Sequence, residues 1–239
     1  MEYGLMHQEP NQHPVAAPRE VHNHGFYPYV DNGGTVLGIC GKDFALVASD
    51  TRQSNGGYLI NSRDTPKIFK LSNGTVLGSA GFHADTMQCL ETLEQRAQLY
   101  FHKHERQMNA KAMAQTLSHL LYSKRFFPYM INTVLAGVDA KGNGVLYSYD
   151  PVGSFGEVTQ YSHGSASALL NPFLDNQIAR AHQTGVDHSA LPSREQAIKL
   201  AIDAFTSATE RDIYTGDWLE ILVVDSEGVQ EIKRELKHD

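Results

Sequence analysis

The chain has 239 residues, 41% hydrophobic and 20% charged, and a net charge of −7. That length and composition suit a globular chain with a sizeable core, and the acidic balance excludes the basic stripe of a general nucleic-acid binder. No apolar run approaches the roughly 20 residues of a membrane span, and Cys40 and Cys89 both lie in apolar-patterned segments, which favours buried free thiols over a disulfide.

Met1 to His24 has neither helical nor strand periodicity and is punctuated by Pro10, Pro14 and Pro18. It lacks the apolar stretch of a secretory signal. His7, His13, His22 and His24 are irregularly spaced with no thiol or carboxylate cluster beside them, so a solvated leader is expected there and not a metal site. Gly25 to Val30 (GFYPYV) brings the first aromatic area worth burying. Gly33 to Arg52 then reads GGTVLGICGKDFALVASDTR. Thr35 to Cys40 and Phe44 to Ala48 are strand-like runs, and Gly41-Lys42-Asp43 is the short Gly-containing link of a hairpin. Asp50-Thr51-Arg52 follows at the strand end, where a carboxylate and a guanidinium are costly unless paired.

Ile68 to Leu71 and Thr75 to Ala80 are two further strands, joined by the turn signal Ser72-Asn73-Gly74. Lys67 opens the first of them and reads plainly as a strand-end lysine; Gly81 reads plainly as a turn glycine. From His83 to about Arg106, Met87, Leu90, Leu93, Ala97, Tyr100 and Phe101 fall on one helical face. A second helix is predicted from Ala110 to Lys124, with Pro128 blocking continuation. Arg125 to Tyr129 (RFFPY) reads as an aromatic anchor for a loop. Thr133 to Val138 and Val145 to Tyr149 are strands around the turn Asp139 to Asn143; no helix follows Gly142-Asn143-Gly144, so it is no phosphate loop. Asp150-Pro-Val-Gly-Ser154 is a tight turn that Asp150 can cap through its own backbone, and Phe155 to Tyr161 returns as one strand. A helix opens at Gly164 to Ala168, which lacks the final glycine of a nucleophile elbow. Ser193 with Gln196 starts another helix through a capping box, and Asp212 to Gly216 ends it. Leu219 to Val224 and Val229 to Leu236 close the chain as a hairpin. The order strands, two helices, strands, two helices, strands predicts two sheets with helices on both outer faces, with no internal repeat.

The stretch from Gly33 to Arg52 resembles the start of a mature proteasome beta subunit, an N-terminal-nucleophile hydrolase fold. RFFPY, the Asp-Thr-Pro before Lys67, and Pro172 to Gln177 (PFLDNQ) resemble most closely the non-catalytic beta type-1 group, at the sixth position of the seven-membered ring. The similarity covers Gly25 to Asp239. It implies an α+β fold, a four-layer αββα sandwich of two antiparallel sheets flanked by helices, with residues 1–24 a leader and 25–239 one beta-subunit domain. Active relatives free a threonine by self-cleavage after glycine; its hydroxyl attacks and its own α-amine is the base. That threonine stands sixteen residues before the Asp of the triplet, and sixteen residues before Asp50 stands Gly34, which has no hydroxyl. The resemblance therefore implies no catalytic residue and no cofactor or metal, and a vestigial site of Asp50, Lys67, Gly81, Ser165, Asp212 and Thr215. Lysine would lie beneath the nucleophile position, Gly81 would match an oxyanion-binding glycine, and Asp212 and Thr215 would lie near the missing amine. Removing one partner of a buried pair costs roughly 3–5 kcal/mol, which gives these residues a structural reason to stay. The resemblance further implies processing between His24 and Gly25, and the cytoplasm and nucleus as location. Its implied partners are beta subunits at the fifth and seventh ring positions, the opposite beta ring and the alpha ring, with no nucleic acid and no membrane. Asp150 and Ser154 would border the pocket of the neighbouring chymotrypsin-like subunit for the third substrate residue before the cut. The alternative is an active threonine endopeptidase using Thr35, which strand alternation opposes: a one-residue shift turns the hydroxyl to the face away from Lys67.

Overall fold

The computed structural model describes residues 28–239. In chain order its strands are β1 (Thr35–Cys40), β2 (Phe44–Asp50), β3 (Gln53–Ser54), β4 (Ile60–Ser62), β5 (Ile68–Lys70), β6 (Val76–Gly81), β7 (Ile131–Val138), β8 (Gly144–Tyr149), β9 (Phe155–Glu157), β10 (Gln160–Gly164), β11 (Trp218–Asp225) and β12 (Gly228–Glu235). The helices are α1 (His83–His104), α2 (Ala110–Tyr122), α3 (Ser167–Leu174) and α4 (Arg194–Ala208). One sheet has the order β10-β1-β2-β11-β12 and the other β5-β6-β7-β8-β9, with all pairs antiparallel.

Three apolar layers hold this together. Leu37, Ile39 and Leu46 meet Leu170, Ala201 and Phe205 of α3 and α4. Val36, Val47, Val134 and Leu146 fill the space between the sheets. Leu77 and Leu135 meet Leu93 of α1 and Leu117 of α2. The chain thus builds the αββα sandwich of the N-terminal-nucleophile hydrolase (proteasome) fold. Because the inner strands are covered on both faces, β1 and β2 are buried along their whole length, and they read as unbroken apolar runs where a half-exposed strand would alternate.

Several local boundaries differ from the sequence-based expectation. Phe155 to Tyr161 is not one strand. β9 pairs with β8 and β10 with β1, and the residues between them cross from one sheet to the other. Val158 N–H donates to Leu146 O, and Thr159 O accepts from Cys40 N–H. α1 stops at His104 because Glu105 turns left-handed (φ 53°) and sends its N–H back to Phe101 O. α4 ends at Ala208, before the predicted Asp212 to Gly216, which instead forms a separate turn in which Asp212 Oδ1 accepts Tyr214 N–H. The β3–β4 ribbon carries no clear period and has no counterpart in the sequence reading. The capping box is present: Gln196 N–H donates to Ser193 Oγ, and Ser193 N–H to Gln196 Oε1. Cys40 and Cys89 are free and buried. Burial pushes their thiols up to about 11 and about 12, so both stay protonated. Among the described residues no helix is long and apolar enough to cross a membrane.

Candidate functional site

Six of the residues singled out in the sequence converge on Gly34, just before β1. Alternation along β1 decides what each side of the strand can touch. Val36 faces the layer between the sheets and Leu37 the layer under α3 and α4. Gly34 belongs with Val36 and Thr35 with Leu37. On the inner side lies Lys67, and its three donors are all engaged. Nζ donates to Arg52 O at 2.6 Å and Asp50 O at 2.9 Å, and lies 3.3 Å from Asp50 Oδ1. A Cβ built on Gly34 would clash with Lys67 Cε and stand 2.6 Å from Nζ and 3.0 Å from Asp50 Oδ1. The lysine stem therefore fills the volume a side chain at position 34 would need. Gly34 also has φ +79°, a left-handed conformation that a side chain makes costly.

Asp50 is fully buried. Besides Lys67 it accepts backbone N–H bonds from Thr35 (2.8 Å), Arg52 (3.2 Å) and Gly216 (3.2 Å). Burial pushes its carboxyl upward, against the pull of the Lys67 charge and the Thr35 and Gly216 amides. Burial likewise pushes the Lys67 ammonium downward, against Asp50.

On the other side the hydroxyl of Thr35 is committed. Thr215 Oγ1 donates to Asp212 Oδ2 at 2.6 Å. The 2.9 Å contact between the Thr35 and Thr215 hydroxyls must then be donated by Thr35. Thr35 Oγ1 in turn accepts Ala166 N–H at 3.0 Å. The result is a directed chain from Ala166 N–H through Thr35 and Thr215 to Asp212. Ser165 Oγ donates to the same Asp212 oxygen at 2.6 Å, and Ser165 N–H donates to Gly34 O at 3.0 Å. Lys67 makes no hydrogen bond to Thr35, and the Thr35 side chain is fully buried.

Gly81 stands at the rim with φ +120°, where a Cβ would come within 2.5 Å of Met130 O. Its carbonyl accepts Asn32 N–H at 3.2 Å. Asn32 straps the incoming chain down. Its O accepts Ser54 N–H, its Nδ2 donates to Ser54 O, and its Oδ1 accepts His83 N–H at the start of α1. Position 34 therefore lies inside a continuous backbone and has an amide, not an α-amine. Sequence reasoning missed this strap, although Asn32 adjoins the glycine pair it noted.

Residues 30–224 match the proteasome subunit family. The chain belongs to that family. It is 49% identical to the Danio rerio protein named "Proteasome subunit beta type-1" over 208 residues, 87% of each chain. It is 46% identical to the Drosophila melanogaster protein of that name, over 90% of this chain and 91% of the other. A Saccharomyces cerevisiae protein named "Proteasome subunit beta type-6" is 43% identical, over 90% of this chain and 92% of its own.

Elsewhere in this proteasome family subunit, the turn from Asp150 to Ser154 stands apart from the cluster at Gly34. Asp150 Oδ1 accepts N–H bonds from Val152 (3.0 Å) and Ser154 (2.8 Å), and Ser154 is exposed. The turn thus has the backbone cap that its sequence predicts. Arg52, the guanidinium of the charged triplet, pairs not with Asp50 but with Asp217, which is fully buried. Asp217 also receives Arg63 Nη1 at 2.5 Å and lies 3.2 Å from His238 Nδ1. This hub went unread because its members are 165 and 154 residues apart from Asp217 in sequence. Among the described residues no cluster of His, Cys, Asp and Glu could hold a metal ion. The cleavage site read between His24 and Gly25 lies outside the described residues.

Proposed function

We propose that this chain is a non-catalytic beta subunit of the 20S proteasome core particle, a ring and chamber component in protein degradation. The observation that carries the reading is the closed position 34. A glycine stands where the attacking hydroxyl belongs, Lys67 occupies the space of its side chain, and an intact peptide replaces the α-amine that would serve as base. Thr35 offers no substitute, because its proton goes to Thr215 and its lone pair accepts Ala166 N–H. Assembly with other proteasome subunits follows from the family. The finer assignment is that the neighbours are the fifth and seventh beta positions, with the opposite beta ring and the alpha ring completing the surroundings, in the cytoplasm and nucleus. A leader of residues 1–24 is removed at His24–Gly25, leaving the domain from 25 to 239. Asp150 and Ser154 border a substrate pocket of the adjacent active subunit; Asp150 Oδ1 is spent on the turn, and its second oxygen is available to a substrate N–H.

The test is covalent labelling of the assembled particle with a peptide epoxyketone or boronate, followed by peptide mass spectrometry and the intact mass of this chain. Label on other subunits, none on this one, and a mature chain beginning near Gly25 are expected. A chain beginning at Thr35 and labelled there would overturn the reading.

A further inference from the structure

A surface patch outside the vestigial site has no role in the function proposed above. After α2 the chain makes successive tight turns: Lys124 N–H donates to Leu121 O, Arg125 N–H to Tyr122 O and Phe127 N–H to Lys124 O, while Ser123 Oγ donates to Leu120 O. These bonds fix a short segment that leaves Phe126 98% exposed, Phe127 69% and Tyr122 64%. Aromatic side chains bury about 150–250 Å² each when covered, so three of them form a patch of the few-hundred-Å² size that marks an interaction site. A flexible loop would fold such rings away; here the backbone bonds and the ring of Tyr29, 5.7 Å from that of Phe127, prevent it.

The patch is continuous with the turn from Asp150 to Ser154. Gly153 sits directly on the last turn of α2: a Cβ there would be 2.5 Å from Ser118 O and 3.2 Å from Leu121 Cβ and Tyr122 N. Gly153 O accepts Ser118 Oγ at 2.7 Å. Only a glycine permits this approach, and φ +88° asks for one as well. Ser154 and the aromatic segment are therefore parts of one rigid face.

Charge limits what can cover it. Lys124 and Arg125 are exposed and, among the described residues, neither forms a salt bridge. Arg125 lies over the Phe126 ring at 6.0 Å. On a chain of net charge −7 this is a local cationic spot. A second copy of the chain docked on it about a two-fold axis would bring four cations together, which the missing partner carboxylates could not offset.

We infer that Tyr122 to Phe127 and the Asp150–Ser154 turn form a single docking face for the neighbouring beta subunit of the same ring, which receives Phe126 in an apolar pocket rimmed by carboxylates. This inference rests on the ring-subunit reading given above. Phe126 is the anchor, Arg125 the orienting charge, and the ring atoms of Phe126 become buried only on assembly.

The experiment places the photo-crosslinker p-benzoylphenylalanine at position 126, and separately at 154, in the full chain expressed with the other core-particle subunits. Crosslinks from both positions to the same beta subunit are expected. In competition with the unmodified chain, Phe126→Ala and Arg125→Glu should each lower incorporation about tenfold and leave the far-UV circular dichroism of the free chain unchanged. A chain present in particles but crosslinked at 126 to nothing, to an alpha subunit or to its own leader overturns the inference. So does undiminished incorporation of both variants. If the unmodified chain itself fails to enter particles, the ring-subunit reading falls first and the docking face with it.

Discussion

Gly34→Ala is the smallest perturbation that asks whether the nucleophile position is closed. The added methyl meets two costs. A left-handed backbone at φ +79° penalises an L side chain by about 1–2 kcal/mol. The methyl also stands 2.6 Å from Lys67 Nζ, on a stem with no slack: Nζ is already bonded to two carbonyls and beside the Asp50 carboxylate. If the lysine is driven out, Asp50 becomes a buried charge without its cation, worth roughly 3–5 kcal/mol. The expected loss is therefore at least about 3 kcal/mol. Gly74→Ala separates the two terms, because Gly74 has φ +85° and nothing within 4 Å of its would-be Cβ. Urea unfolding of both variants and the unmodified chain, monitored by circular dichroism, gives the difference directly. If Gly34→Ala costs no more than Gly74→Ala, Lys67 is not filling the position, and the structural case against a side chain there fails.

Three further outcomes follow from the same geometry. Burial opposes ionisation of Asp217, but its bonds to Arg52 and Arg63 hold its carboxyl below the ordinary 3.8, so it stabilises the fold at neutral pH and that contribution is lost as pH falls below about 4. Asp217→Asn should cost roughly 3–5 kcal/mol and loosen residues 236–239, which its backbone holds through Lys237 O and Leu236 N–H; unchanged unfolding and unchanged carboxypeptidase resistance would contradict this. Burial holds His163 at about 4 against 6.5 when unfolded, so the unfolded chain takes up a proton first and stability declines as pH falls from about 6.5 to about 4, by at most ~1.4 kcal/mol per pH unit. His163→Gln, which can still bond Ser148 Oγ, should flatten that slope, and an identical slope would refute the assignment. Asp150→Ala should change the neighbouring subunit's preference at the third substrate residue in a peptide-library profile of assembled particles, while reaction with a minimal electrophile stays the same; identical profiles would leave Asp150 only its turn cap.

Much of the sandwich was legible because burial on both faces writes itself as long apolar runs. β1 agrees with its expected span, and the α4 capping box is spelled out by Ser193 and Gln196. The crossing at Val158 and Thr159 was not legible, since a chain that changes sheets keeps its extended backbone and its apolar spacing. Nor was the end of α4, where Ser207 and Thr209 bond carbonyls of Asp203 and Thr206 and no proline or glycine marks the stop. At the site, residue types near Asp50 pointed to paired charges, but not to which pairs. Arg52 adjoins Asp50 and yet reaches Asp217, because along a strand end the two side chains diverge and each must find a countercharge brought by another segment. Gly34 was identifiable by counting, while its φ and its distance from Lys67 required coordinates.

The persistence of catalytic-type residues around a glycine has a physical explanation that does not involve catalysis. Among these residues only position 34 can lose its side chain without orphaning a buried polar group. Its carbonyl is still satisfied by Ser165 N–H, and the vacated volume is taken by the Lys67 stem. Asp50 answers three backbone amides and one ammonium, Asp212 answers two hydroxyls, and Thr215 carries the proton chain from Thr35. Deleting any of them leaves a donor or a charge unpaired, at about 1–3 kcal/mol for a neutral group and more for an ion. The hydroxyl that would do the chemistry is the one group in the constellation on which no other group depends. A set of aspartate, lysine, serine and threonine in this arrangement is therefore evidence for the fold's polar core, and catalysis has to be argued separately from the atom at position 34.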